Sequence, residues 1–277
     1  MYLIQEYVDS FDEDALLVLL DMEKAFDRCS WEFLKKSMQA LGLGKDIRRW
    51  IHAIYDNERP PERKIKMNGE KSYQFALGSG VAQGCPLSPL LFLFIGEPLT
   101  RMLENDERLR GVTIGEHEHK VGQFADDTAA MLEGYQHLKK LFEIINKWER
   151  ATGMACNRSK TALIPMGRTR REEIPEEILQ ELNLPKPSEE PYEIYLGAPV
   201  ASDKSIYKEF ITEKYRATKS KMASWKLSHY TQKGRAMIAN TLVSSRLRYW
   251  AQFMLIPRSI NKNLDADIRK HLSGTRR

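Results

Sequence analysis

The chain has 277 residues, 42% hydrophobic and 29% charged, enough to bury one large or two modest cores in a globular protein. Its longest apolar runs, Ala15–Leu20 and Leu90–Ile95, are far too short for a membrane span, and MYLIQEYVDSFDED lacks the basic start and apolar centre of a secretory signal. An intracellular protein is therefore expected, and Cys29, Cys85 and Cys156, odd in number and widely spaced, suit reduced thiols rather than a disulfide framework or a zinc site.

The net charge of +5 is unevenly distributed. Residues 201–277 hold 17 Lys or Arg against 5 Asp or Glu, and the rest hold 26 against 33. A C-terminal quarter at +12 beside a body at −7 suggests a polyanion gripped by one end, because such an excess goes beyond what solubility requires.

In chain order, ALLVLL (Ala15–Leu20) reads as a buried strand that ends at a carboxylate, Asp21. Ser30 can cap a helix to about Leu41, where Gly42 and Gly44 stop it. Ile47, Trp50, Ile51 and Ile54 recur at helical spacing, predicting an amphipathic helix packed on the body. After Pro60 and Pro61, RKIKMNGEKSYQFAL predicts two strands joined at Asn68-Gly69. The small-residue loop GSGVAQGCPLSP opens an apolar segment, LLFLFIGEPLTRML, expected to be a buried helix. His117 and His119 have no third ligand nearby and are expected in a solvated loop.

GQFADDTAAML sets Asp126 and Asp127 side by side between apolar runs. A surface hairpin accommodates such a pair, since Asp tolerates turn geometry. A metal site does too, since a divalent cation relieves the repulsion and needs hard oxygen ligands. Leu138, Leu141, Phe142, Ile145 and Trp148 predict a further helix ending near Gly153. Residues 165–191, with five prolines and many glutamates, read as a connection, and YEIYLGAPV as a strand-like return. From Lys204 the chain reads as helical and basic, with Trp225, Leu227 and AMIANTLVSSRLRYW. There is no internal repeat. Strands and helices without regular βαβ alternation predict an α+β fold, helices on an antiparallel sheet, with the basic tail as a helical lobe.

Asp21 alone would suit a helix N-cap. If its strand neighbours the Asp126-Asp127 hairpin, three acids meet at one sheet edge. Such a cluster is costly unless cations neutralise it, and a two-ion site performs phosphoryl transfer. The basic lobe makes nucleic acid the plausible phosphate carrier.

The blocks LLVLLDMEKAFDRCSWEFL, GVAQGCPLSPLLF, QFADDTAAML, TGMACNRSKT and YLGAPV, in this order over residues 9–260, resemble the reverse transcriptases of non-LTR (LINE-like) retrotransposons. The resemblance implies a right-hand polymerase: a palm of antiparallel sheet and packed helices with partial fingers over residues 1–164, a connection and primer-grip return over 165–200, and a basic helical thumb over 201–277. It implies that Asp21, Asp126 and the Met22 carbonyl hold two Mg²⁺, for which Mn²⁺ can substitute, with Asp127 beside them as the third acid. Phe26 matches the residue under the incoming sugar that excludes a 2′-hydroxyl. Gln83 and Gly84 match the contacts to the nascent pair, Lys160 the proton donor to pyrophosphate, and Tyr195, Leu196 and Gly197 the primer grip. The implied partners are an RNA template, a DNA primer and dNTPs, with no membrane, in the nucleus or cytoplasm.

Two departures bear on activity. Twenty residues precede Asp21, so the finger segments that lead the family pattern are expected to be absent, and Ala82 stands where the family usually has a basic residue. The alternatives are an inactive, reverse-transcriptase-like protein that binds nucleic acid, and a templated polymerase of another lineage.

Overall fold

The computed structural model describes residues 14–56, 58–169, 173–201, 203, 205–224 and 230–273. Trp225 and Leu227 lie outside the described residues. The described residues divide into two compact units, one within residues 14–188 and one within residues 189–273.

The larger unit is built on a four-stranded antiparallel sheet in the order β10-β1-β9-β8. β1 (Asp14–Leu20) is the apolar run, buried on both faces, which explains why it shows no alternation. It is flanked by β10 (Ala162–Gly167) and β9 (Asp127–Leu132), and β9 closes a tight hairpin with β8 (Val121–Phe124). The strand Ala162–Gly167 extends into the proline-rich stretch read as connection. Pro165 is tolerated there because β10 is an edge strand.

Leu16, Val18, Leu20, Ala130, Leu132 and Leu163 share one core with three helices. These are α2 (Trp31–Ala40), α4 (Ser88–Asn105) and α5 (Leu138–Thr152); α1 (Ala25–Arg28) precedes α2, and α3 (Lys45–Ile54) lies between α2 and α4 in the chain. The Ser30 hydroxyl accepts from the Phe33 amide and so caps α2, as its sequence position predicts. Trp148 of α5 donates its indole N–H to the Ile95 carbonyl at 3.0 Å, tying two helices together across the core. Gly153 ends α5 at φ 75, in the left-handed region that favours glycine.

The two-strand hairpin at Asn68-Gly69 is present: Met67 pairs with Glu70, and both turn residues have positive φ, 51 and 92. It joins β3 (Lys66–Met67) to β4 (Glu70–Lys71), inside an outer pair of β2 (Glu62–Arg63) and β5 (Phe75–Ala76). The helix α3 forms where its spacing predicts, but only Ile51 of its apolar stripe is buried. Ile47, Trp50 and Ile54 are exposed, Trp50 by 71%. The expected packing on the body is therefore limited to one residue. His117 and His119 are also not in a loop: they belong to β7 (His117–His119), which pairs with β6 (Val112–Ile114) around Gly115. Cys29 and Cys156 are buried free thiols, and burial pushes the Cys29 thiol up to about 12. Cys85 is only half-buried.

In the smaller unit, β11 (Glu193–Tyr195) and β12 (Ala198–Val200) form a hairpin. It follows α6 (Glu176–Glu181), which lies in the larger unit, and precedes α7 (Ser205–Ser224). Then α8 (Gln232–Ile238) runs through a π-helical stretch, Ala239–Ser244, into α9 (Ser245–Trp250), and α10 (Arg258–Ser273) follows. Phe210, Ile211, Tyr215, Leu247 and Ile260 make its core, with Tyr192 and Trp250 edge-on to Phe210 at 5.4 and 5.5 Å. Among the described residues, no helix is long and apolar enough to cross a membrane.

Leu132 is fully buried where the sheet meets the helices. Leu132→Ala is expected to cost about 2–5 kcal/mol. Urea unfolding should show a lower midpoint at unchanged slope.

Candidate active site

The sheet ladder brings the separated acids together. Leu20 pairs with Thr128, so Asp21, one residue after Leu20, and Asp127, one residue before Thr128, sit at adjacent strand ends. Phe124 pairs with Asp127, leaving Ala125 and Asp126 as the two-residue turn of the β8–β9 hairpin. Ala125 takes φ 54, the left-handed region that a non-glycine residue occupies at a cost of about 1–3 kcal/mol.

The electrostatics agree with the ladder. Asp127 is held above the ordinary carboxylate range, first by partial desolvation, then by the charges of Asp126 and Asp21. The charge of Asp21 also contributes to raising the Cys156 thiol, after the larger effect of burial. A hairpin turn and an acidic cluster are therefore not alternatives for the Asp-Asp pair, since the turn is what delivers the acids to Asp21.

The stretch from Asp21 to Ser30 is pinned from one side by residues 152–157. The Asn157 amide donates to the Asp21 carbonyl at 2.7 Å, Glu23 donates to Ala155 at 2.8 Å, and Ser30 donates to Thr152 at 3.0 Å. The first two bonds bracket the bridge between Met22 and Cys156, and neither uses the Met22 carbonyl. Residues 155–158 are held in turn by α5. Glu149 accepts from the Cys156 amide at 2.6 Å, and Arg158 lies over the Phe142 ring at 4.2 Å while donating to Asn146 and Glu149. Lys160 follows on a 3₁₀ turn, Arg158–Lys160, with its side chain exposed.

The glycine-rich loop docks from the other side. Val81 donates to the Phe26 carbonyl at 2.7 Å, Gly80 to the Cys29 carbonyl at 2.9 Å, and the Trp31 indole to the Gly80 carbonyl at 2.7 Å. A Cβ on Gly80 would lie 2.6 Å from the Asp27 carbonyl oxygen, and Gly80 has φ 87, so only glycine fits. Gln83 and Gly84 follow Val81 by two and three residues, and both are exposed. Gly84 has φ 83 and open space where a Cβ would stand. Phe26 is half-buried and stacks on Phe92 of α4 at 4.9 Å.

Tyr195, Leu196 and Gly197 belong to the other unit. Tyr195 pairs with Ala198, and Leu196 and Gly197 form the turn with φ 49 and 76. The Tyr249 hydroxyl donates to the Leu196 carbonyl, and the Trp250 indole donates to Gly197 at 3.1 Å. The tip of the hairpin is thus fixed by two aromatic residues of α9.

Sequence reasoning does not single out Asn157 or Gly80. Each acts through backbone contacts to residues far along the chain, and only the run of small residues around Gly80 hints at a close approach. Among the described residues, no group of three or more His, Cys, Asp or Glu is arranged so that it could hold a metal ion. The donor chemistry is nevertheless of the kind a divalent cation takes: three hard carboxylates at one sheet end, beside a carbonyl that the ladder does not engage.

Residues 4–194 match the sequence profile of the family described as reverse transcriptase (RNA-dependent DNA polymerase). The chain is 27% identical over 237 residues to the Transposon TX1 uncharacterized 149 kDa protein of Xenopus laevis, covering 83% of this chain and 17% of that protein. It is 28% identical over 165 residues to the Retrovirus-related Pol polyprotein from type-1 retrotransposable element R2 of Popillia japonica, covering 58% of this chain and 23% of that one. The chain thus spans less than a quarter of the length of these relatives. Among solved structures, a telomerase from Candida tropicalis aligns with 97% of this chain and 44% of its own, at 12% identity and a TM-score of 0.48.

The raised titration of Asp127 has a sign. A carboxyl that binds its proton more tightly folded than unfolded stabilises the fold at low pH, and that contribution is lost as pH rises through the folded value. Asp127→Asn should therefore be more stable than the parent at about pH 7, by less than about 1 kcal/mol because the cluster is solvent-screened. The difference should shrink towards zero near about pH 3, where the Asp127 carboxyl is mostly protonated in both states. Thermal denaturation across this range measures it.

Proposed function

Since the chain belongs to the reverse transcriptase family, in its non-LTR retrotransposon branch, we propose that it is the catalytic portion of an RNA-directed DNA polymerase, extending a DNA primer with dNTPs on an RNA template. The observation that carries this reading is the convergence of Asp21, Asp126 and Asp127 at one end of the sheet.

In this reading Asp21, Asp126 and the Met22 carbonyl would hold two Mg²⁺, or Mn²⁺ in their place, with Asp127 alongside. Bound there, the ions supply activation of the primer 3′-hydroxyl and neutralisation of the triphosphate. The remaining work belongs to the chain. Phe26, braced by Phe92, presents a ring where a ribose 2′-hydroxyl would need room, which selects deoxynucleotides. Gln83 and Gly84 would contact the nascent pair, a role supported by the open space at Gly84. Lys160 gives a proton to the leaving pyrophosphate, a role that its exposed position permits.

Residues 201–277 act as the thumb. Their 12 uncompensated positive charges suit a phosphate backbone, and the Tyr195–Gly197 turn, fixed by Tyr249 and Trp250, serves as the primer grip. Base pairing supplies sequence, so the protein contributes shape and charge.

The test is extension of a labelled DNA primer on RNA with Mg²⁺ and dNTPs. The parent chain should incorporate nucleotides, and Asp126→Ala should reduce incorporation by at least about a thousandfold. Equal binding of the hybrid by both proteins, with no extension by either, would instead indicate a nucleic-acid-binding protein that retains the fold.

A further inference from the structure

The acidic turn depends on a residue whose backbone conformation is unfavourable. Ala125 has φ 54, and its carbonyl belongs to the peptide that leads into Asp126. The orientation of that peptide sets the direction in which Asp126 leaves the sheet. The ladder cannot fix it, because the pairing of Phe124 with Asp127 closes around the two turn residues without engaging them.

A side chain from the preceding strand reaches this peptide. Gln123 of β8 donates its amide N–H to the Ala125 carbonyl at 3.3 Å. Its other amide atom, Oε1, accepts from the Thr100 hydroxyl of α4 at 2.7 Å. Gly96, one helical turn before Thr100, leaves the room for this, since a Cβ there would stand 2.7 Å from Gln123 Nε2. Gln123, Ala125, Gly96 and Thr100 also border a cavity of about 250 Å³, so the amide is not held in place by dense packing on every side.

The chemistry of the side chain matters here. The glutamine amide accepts from a hydroxyl with its oxygen and donates to a carbonyl with its nitrogen, and asparagine, which has the same two groups, is one methylene too short to span the same two partners. A glutamate could accept from Thr100 but would set a fourth negative charge beside three acids and face the Ala125 carbonyl without a proton to give.

We propose that Gln123 is a positioning residue that, anchored to α4 through Thr100 and Gly96, fixes the Ala125–Asp126 peptide and so aims Asp126 at the cation side of the site. The proposal rests on the polymerase reading for its effect on catalysis, though not for the clamp itself. Gln123 acts through Asp126 and touches no reacting group.

Three variants probe it: Gln123→Leu removes both hydrogen bonds at similar size, Thr100→Val removes only the anchoring hydroxyl, and Gly96→Ala displaces the glutamine. Two readings are taken from each: the Mg²⁺ concentration giving half-maximal primer extension, and amide hydrogen exchange across residues 125–127. Gln123→Leu should raise half-saturating Mg²⁺ and lower kcat, by about tenfold taken together, with the KM for primer–template unchanged. Exchange at the turn should quicken while exchange in β1 stays as in the parent. Thr100→Val and Gly96→Ala should move both readings in the same direction, and Gln123→Leu with Gly96→Ala should be no worse than the more severe single change, because both break one clamp.

Parent-like Mg²⁺ dependence and parent-like exchange in Gln123→Leu would overturn the proposal while leaving the polymerase reading intact. If the parent chain itself extends no primer, that reading fails, and exchange alone decides: faster exchange in the variants upholds the clamp, and unchanged exchange removes it. Should Gln123→Leu fail to fold, Thr100→Val decides between the same two outcomes through the loss of one hydroxyl.

Discussion

Mutual repulsion among Asp21, Asp126 and Asp127 is the constraint around which the larger unit is organised. Three carboxylates at neighbouring strand ends oppose the fold that gathers them: Asp127 is held above the ordinary carboxylate range first by partial desolvation and then by the charges of Asp126 and Asp21. The surrounding structure overcomes this through the rigidity of the sheet and its turn. β1 is buried on both faces and paired on both edges, so its end cannot move away from β9. The turn at Ala125 accepts a left-handed conformation to bring Asp126 in beside Asp127. The repulsion is then available to favour whatever neutralises it, and divalent cations do so most directly.

The segment after Asp21 is where the two supports of the site meet. From one side α5 holds residues 155–158 through Glu149 and the Arg158–Phe142 contact, and these residues hold the backbone from Asp21 to Glu23. From the other side the loop around Gly80 and Val81 bonds to Phe26 and Cys29. Neither support relies on a charged side chain of the site. Backbone hydrogen bonds, the Glu149 and Arg158 contacts and buried aromatic rings supply the rigidity around the acids.

The features legible in the sequence are those that depend on local chemistry. β1 shows itself by an apolar run ending at Asp21, the Ser30 cap by its hydroxyl, and the inner hairpin by Asn68-Gly69. The acids of the site are legible for the same reason, since adjacent aspartates between apolar runs require an explanation. Contacts between distant segments are not legible. Nothing in the vicinity of Asn157 indicates that its amide holds Asp21, and nothing around Gln123 indicates that it reaches Ala125. Periodicity also misleads at α3, where Ile47, Trp50 and Ile54 lie on one stripe yet remain exposed, because spacing describes a face and does not say what covers it. β10 is hidden because Pro165 reads as a breaker, and an edge strand tolerates it.

The central claim is that the three acids form one cation site whose repulsion the bound ion relieves. The most direct measurement is the melting temperature of the chain as Mg²⁺ is titrated, compared with an Asp21→Asn, Asp126→Asn double variant at the same ionic strength. Binding to the folded state alone raises stability with ion concentration. The account predicts a saturable rise in the parent and little or none in the variant. An equal rise in both, or no rise in the parent, would contradict it.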